Sequence, residues 1–315
     1  MTVLAHPLWR PGSACGPDCL PRADETPTVP VARRLLRATA LLGMLGLGVG
    51  VAVLLPLLPA REWSALTPVW ARATARACGV RLQVRGRLPR RRVLLVANHV
   101  SWWDVPALLA VAPARLVAKR EVGRWPLVGL LARAAGTVFV DRTRPRRLPA
   151  TVDRVAATLR AGRSVAVFPE GTTWCGTGVD CRPRTGFRPA MFQAAIDAGA
   201  PVVPLRIGYR LGATGTPTTA PAFLGEESLL RSMCRVLALR ELTVTVEIAA
   251  PLYPAPSADR RALARVAESA VHLVPSSAAA PPAAPVPVRP VRTPPRHVVG
   301  PPPTGTPGPE LPLAA

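Results

Sequence analysis

Between Ala38 and Ala60 the chain carries no charged side chain, a run of 23 residues that limits what the polypeptide can become more than any other feature of its 315 residues. Wound as an α-helix at about 1.5 Å per residue, the run reaches roughly 35 Å, enough to cross the hydrocarbon core of a bilayer. It begins too late, runs too long and lacks the small-x-small site of a cleaved signal peptide. Residues 33–60 are therefore expected to form a transmembrane or re-entrant helix. Arg33, Arg34 and Arg37 precede the run and Arg61, Arg72 and Arg76 follow it, so the positive-inside rule comes close to a tie. Pro56 and Pro59 suit a re-entrant insertion as well as a spanning one. Across 61–81, Trp63, Leu66, Val69 and Trp70 alternate with arginines, which fits a helix lying at the membrane interface or an ordinary packing helix.

The charge balance is strongly basic, 40 Lys plus Arg against 18 Asp plus Glu, and the single lysine is Lys119. Arginine forks pair bidentately with phosphate, so an excess of this kind suits anionic lipid headgroups or nucleic acid. A coding bias toward Arg, Ala, Pro and Gly yields the same composition. A nucleic-acid partner is not expected, because no reading motif is present and two tyrosines and five phenylalanines leave little for base stacking.

Residues 1–32 hold Pro7, Pro11, Pro17, Pro21, Pro27 and Pro30 with no apolar period and read as a disordered arm. From 275 to 315 proline dominates again, and an unstructured tail is expected. Between them, residues 82–274 interleave short β-rich runs (93–97, 116–118, 137–140, 164–168, 202–207 and 243–248) with helical stretches, which predicts an α/β domain with a mixed central sheet flanked by helices. A last helix is expected from Ser257, capped by that hydroxyl, with Leu263, Val266, Ala267 and Val271 as its buried stripe. The six cysteines (15, 19, 78, 175, 181 and 234) show no paired CxxC spacing with histidines. They read as thiols in a reducing compartment with no metal site, although Cys175 and Cys181 would be placed to bridge a loop in an oxidising one.

The run Asn98-His99-Val100-Ser101-Trp102-Trp103-Asp104 directly follows the apolar strand 93–97. A histidine at the C-terminal end of a strand stands where α/β folds place their sites. Asp104 falls on the next turn, where it can accept a hydrogen bond from the imidazole, fix its tautomer and raise the basicity of the other nitrogen. Phe168-Pro169-Glu170-Gly171-Thr172-Thr173 follows a second apolar strand and offers a carboxylate, a glycine open to close approach and hydroxyls. Gly136 to Arg142 reads as a strand that delivers Arg142, and Val202-Val203-Pro204-Leu205 as an apolar strand interrupted by proline. Trp102 and Trp103 suit the mouth of a cleft or its core.

With those four segments in that order, the chain resembles the glycerolipid acyltransferase family that contains the 1-acylglycerol-3-phosphate acyltransferases. The lead-in Cys78 to Gly86 also looks like that family's, and the resemblance spans roughly residues 63–250. It implies that His99 deprotonates the acceptor hydroxyl, that Asp104 orients His99, and that the hydroxyl attacks an acyl thioester with no acyl-enzyme. It further implies that Asn98, Arg142, Glu170, Gly171, Thr172 and Pro204 serve substrate binding, Arg142 on a phosphate, Glu170 on a hydroxyl or on Arg142, and Pro204 on the donor side. No cofactor is implied beyond acyl-CoA or acyl carrier protein as donor. The expected partners are membrane lipids and a lysolipid acceptor, lysophosphatidic acid first. The expected location is the cell membrane with the catalytic domain facing the cytoplasm. The chain departs from the family at Thr173-Trp174-Cys175, where arginine or serine is common, and in a longer loop to Phe187. A phosphate contact is lost there unless Arg182, Arg184 or Arg188 replaces it, or the head group is that of another lysolipid such as lyso-ornithine lipid. Ser101 reads as a turn residue, since no G-x-S-x-G elbow is present.

Overall fold

Four apolar residues in succession, Leu94–Ala97, form strand β2 with every side chain buried, as a parallel strand covered on both faces requires. The computed structural model describes residues 12–273 except 23, 55–59, 91, 177–180, 182–185 and 214. The expected C-terminal tail, Pro56, Pro59, Arg182 and Arg184 lie outside the described residues. Around β2 the sheet contains β1 (Arg81–Arg85), β3 (Ala114–Lys119), β4 (Val138–Val140), β5 (Ser164–Val167), β6 (Val202–Leu211), β7 (Thr216–Pro217) and β8 (Thr243–Ile248). Their order is β1-β8-β6-β2-β5-β3-β4, with β7 on β6. From β6 through β4 all pairings are parallel, whereas β8 runs antiparallel to β6 and parallel to β1. The sheet is mixed and flanked by helices, as the sequence predicts. All six anticipated runs are strands; β1 and β7 are additions.

Because β5 inserts between β2 and β3, the loops that leave β2 and β5 emerge side by side at the C-terminal edge of the parallel strands. That arrangement brings the segments around His99 and Glu170 together. Helix α3 (Asp104–Val111) follows β2, α4 (Val128–Ala134) precedes β4, and α5 (Leu148–Arg160) and α6 (Ala190–Ala198) pack together on the sheet. Helix α7 (Leu229–Ala238) is capped by Ser228, whose hydroxyl accepts the Arg231 amide at 3.3 Å. In the last helix, α8 (Arg260–Leu273), Asp259 accepts the amides of Arg261 and Ala262 at 3.0 and 3.2 Å. The cap is thus Asp259, whose second carboxylate oxygen reaches a second N–H, and not Ser257. The buried stripe also shifts: Ala264, Ala267 and Val271 are buried while Val266 is 53% exposed.

The apolar run lies in α1 (Val31–Leu54), the one helix among the described residues long and apolar enough to cross a membrane. Its Leu35, Leu36, Leu42, Leu47 and Val53 are exposed. Helix α2 (Ala60–Ala77) packs on α1, and the Trp70 indole donates to the Met44 carbonyl at 3.0 Å. Leu66 and Val69 of α2 and Leu130 of α4, which also packs on α1, are exposed as well. Exposed apolar side chains on three neighbouring helices suit a surface that meets a membrane or a partner. Arg37 anchors this unit to the domain by donating to the carbonyls of Leu237 and Leu239 at 3.0 and 2.7 Å, where α7 has no partners of its own to offer them.

The N-terminal arm differs from its expectation. Residues 17–19 form a 3-10 turn, Cys15 and Val29 are buried, and the Val29 amide donates to the Ala238 carbonyl at 2.8 Å. The expectation of no metal-ligand cluster fails too. Cys15 and Cys19 of the arm meet Cys175 and Cys181, and all four Sγ atoms lie within 4.8 Å of one another. Spacing along the chain hides this cluster because tertiary structure joins two segments about 160 residues apart.

One position tests the β1 edge. Gly86 has φ +92°, and an added Cβ would stand 2.7 Å from the Ile248 carbonyl oxygen. Gly86→Ala combines left-handed strain with a backbone clash and is expected to cost about 2–3 kcal/mol, read as a lowered thermal unfolding midpoint of the detergent-solubilised protein.

Candidate active site

His99 stands two residues past the end of β2, and its Nδ1 lies 2.8 Å from Asp104 Oδ2. The same oxygen accepts the Val100 and Ser101 amides at 2.6 and 2.8 Å. The other oxygen accepts the Tyr209 hydroxyl. Asp104 is fully buried, and four donors converge on its carboxylate. A carboxylate facing Nδ1 fixes the proton there and leaves Nε2 as the basic nitrogen. The imidazole is about one-fifth exposed and stacks on Phe168, ring centroids 4.0 Å apart.

Tyr209 is the residue that sequence reasoning missed. It lies on β6, sharing a face with Leu205 and Ile207, and looked like one more apolar position in an apolar strand. Burial, the Asp104 charge and the hydrogen bond push its phenol well above the ordinary range, so it stays a donor. A lone hydroxyl in that strand was the only available signal.

Glu170, four per cent exposed, accepts the His99 amide on Oε2 at 2.7 Å. The expected contact with an acceptor hydroxyl or with Arg142 gives way to this one: the carboxylate holds the backbone that carries the base. Gly171 has φ +79° and turns the chain immediately afterwards, its amide donating to the Phe168 carbonyl at 3.1 Å. Trp174 then donates to the His99 carbonyl at 2.8 Å. Thr172 is half-buried beside them, and the Thr173 hydroxyl donates to the Phe223 carbonyl.

Burial pushes the Glu170 carboxyl up to about 8; the His99 amide pulls it down, and the negative charges of Asp104 and Glu268 push it further up. An acid whose folded value is raised stabilises the fold below its unfolded value, near 4.5, and that stability is lost as pH rises through about 8. The slope from this group is at most about 1.4 kcal/mol per pH unit. Glu170→Gln is therefore expected to flatten the fall in unfolding midpoint between pH 5 and 8, as thermal scans across that range would show.

Asn98 is not free to hold substrate. Its Nδ2 donates to the Ile207 carbonyl at 2.9 Å and its Oδ1 accepts the Ile207 amide at 2.7 Å. It prolongs the β2–β6 pairing by one residue and so positions His99. Pro204 is buried in β6 opposite Val96, and its carbonyl accepts the Ala249 amide at 3.0 Å. Trp103 is core, with Trp102 stacked on it at 4.8 Å. Ser101 is fully buried, which bars it as a nucleophile.

Arg142 leaves the end of β4 and is half-buried. Burial lowers its affinity for its proton, Glu121 opposes that, and the nearby Arg188 guanidinium adds to it. On the β4 side a cavity of about 400 Å³ is lined by Arg120, Arg124, Arg133, Arg147 and Arg154, with Asp141.

With this geometry the comparisons agree. A family model described as Acyltransferase matches residues 80–208. The lyso-ornithine lipid O-acyltransferase of Pseudomonas aeruginosa is 38% identical over 257 residues, covering 79% of this chain and 96% of that protein. The 1-acyl-sn-glycerol-3-phosphate acyltransferase of Neisseria gonorrhoeae is 36% identical over 182 residues, covering 58% and 69%. Among solved structures, the 1-acyl-sn-glycerophosphate acyltransferase PlsC of Thermotoga maritima shares the fold, with a TM-score of 0.53 at 21% identity over 76% of this chain and 94% of that one. The family-model match and an alignment that spans 96% of the Pseudomonas enzyme lead to one assignment: the chain belongs to the glycerolipid acyltransferase family and is an acyltransferase.

Proposed function

We propose that the protein transfers a fatty acyl group from a thioester donor to the free hydroxyl of a membrane lysolipid, with lyso-ornithine lipid as the preferred acceptor. The observation that carries the chemistry is the His99–Asp104 pair, in which a carboxylate saturated with donors leaves Nε2 as the base. Nε2 takes the hydroxyl proton, and the oxygen attacks the thioester carbonyl. The tetrahedral intermediate then expels the thiolate, which recovers the proton from the imidazolium. General-base assistance of this type contributes about 10² to 10⁴ in rate.

Two observations favour the aminolipid over lysophosphatidic acid, the acceptor the family resemblance alone puts first. Thr173 departs from the arginine or serine that the family resemblance leads one to expect there, and its hydroxyl is committed to the Phe223 carbonyl. The lyso-ornithine lipid relative also aligns over 96% of its length, against 69% for the Neisseria relative. Arg142 and Arg188 would then receive the carboxylate of an amino-acid head group, which arginine grips as readily as phosphate. The arginine-lined cavity favours a donor with a phosphorylated handle, acyl-CoA or acyl carrier protein. The apolar surface of α1, α2 and α4 supports attachment to the cell membrane with the catalytic domain on the cytoplasmic side, where such donors are made.

The test offers purified full-length protein lyso-ornithine lipid and lysophosphatidic acid in parallel, each with acyl-CoA and with acyl carrier protein. Faster acylation of lyso-ornithine lipid is expected. Turnover of lysophosphatidic acid alone would move the acceptor assignment, and no turnover of either would overturn the lysolipid reading.

A further inference from the structure

We propose that Cys15, Cys19, Cys175 and Cys181 bind one tetrahedral metal ion of the zinc type, which fastens the N-terminal arm to the loop behind the active-site histidine. In a tetrathiolate site the metal–sulfur distance is about 2.3 Å, and tetrahedral geometry then sets sulfur–sulfur edges of about 3.8 Å. The four Sγ atoms all lie within 4.8 Å of one another, and Cys19 and Cys181 are 3.8 Å apart. A spread this small fits one ion and is too tight for a multi-iron cluster among the four sulfurs. Soft thiolates in a tetrahedral set select zinc or a single iron.

The surroundings fit an ion as well. Cys15 and Cys175 are buried, Cys19 and Cys181 are half-buried, and the Cys175 amide donates to Cys15 Sγ at 3.4 Å, the kind of contact that supports a metal-bound thiolate. Cys19 is turned back toward Cys15 by the 3-10 turn Pro17–Cys19, started by proline. The described part of the arm buries little apolar surface beyond Cys15 and Val29. A segment so poor in core holds one conformation when a ligand-bonded ion supplies what burial cannot. On binding, each thiol releases its proton and the ion accepts four sulfur lone pairs, with no change of oxidation state.

The site adjoins the chemistry without entering it. Trp174, which holds the His99 carbonyl, is the residue before Cys175. The ion therefore steadies the backbone on which His99 rests and leaves the reacting atoms to the pair already described.

The test uses full-length protein purified in detergent without chelators. Elemental analysis is expected to find one zinc, or one iron, per chain, falling at least tenfold in Cys19→Ser and in Cys181→Ser and unchanged in Cys234→Ser. Since a ligand variant can fail to fold, the native protein is titrated in parallel with an organomercurial in the presence of a chromogenic chelator. Release of one metal per chain as four thiols react supports the site, as does the visible spectrum of tetrahedral tetrathiolate cobalt after exchange. Folded protein that holds less than about one-fifth of an equivalent after reconstitution with zinc overturns it, and so does mass spectrometry showing the four cysteines paired as disulfides.

Discussion

Replacing His99 by alanine is expected to lower kcat for acyl transfer at least about 10³-fold while leaving the fold intact. The size follows from losing the base proposed to take the acceptor proton, worth about 10² to 10⁴, together with proton return to the leaving thiolate. The fold should survive because the ring is partly exposed and its burial partner, Phe168, remains. Steady-state kinetics beside a thermal unfolding curve separates the two effects. An active His99→Ala protein would remove the mechanism, whatever its acceptor.

Asp104→Asn is expected to be nearly as damaging to catalysis and worse for stability. Four donors converge on this carboxylate: the His99 ring, two backbone amides and the Tyr209 hydroxyl. An asparagine that keeps its oxygen under the three N–H donors turns its NH2 toward the Tyr209 oxygen, so the buried phenol must give up its own donation to this residue. A loss of about 2–4 kcal/mol in stability is expected. The imidazole also loses the partner that fixes its tautomer, and kcat should fall about 10² to 10⁴-fold. Measuring kcat on protein that a thermal unfolding curve shows to be folded at the assay temperature distinguishes this from simple unfolding. A variant with native kcat would assign Asp104 a packing role only.

How much of this was legible depended on whether the signal was local. Strands β2, β5 and the first half of β6 announce themselves as apolar runs because both faces are covered. β1 does not, since Arg81, Gln83 and Arg85 point to water at the sheet edge and its pairing to β8 alone makes it a strand. The His99–Asp104 pair was readable because both ends lie within one turn. Tyr209, the Asn98 clamp on Ile207 and the true partner of Glu170 were not, because each contact joins residues 71 to 109 positions apart. Asn98 and Glu170, which the resemblance gives to the substrate, each also hold backbone: Asn98 that of Ile207, and Glu170 that of His99.

The order of strands in the sheet also sets a schedule. β2 is made early, yet its neighbours β5 and β6 come late, Leu94 pairing with both Val165 and Val202. A further 105 residues separate Asp104 from the tyrosine that completes its shell. During synthesis α1 leaves the ribosome long before that, so the apolar helix is presented while the base is still unsupported. The chain becomes competent last, when β6 closes against β2.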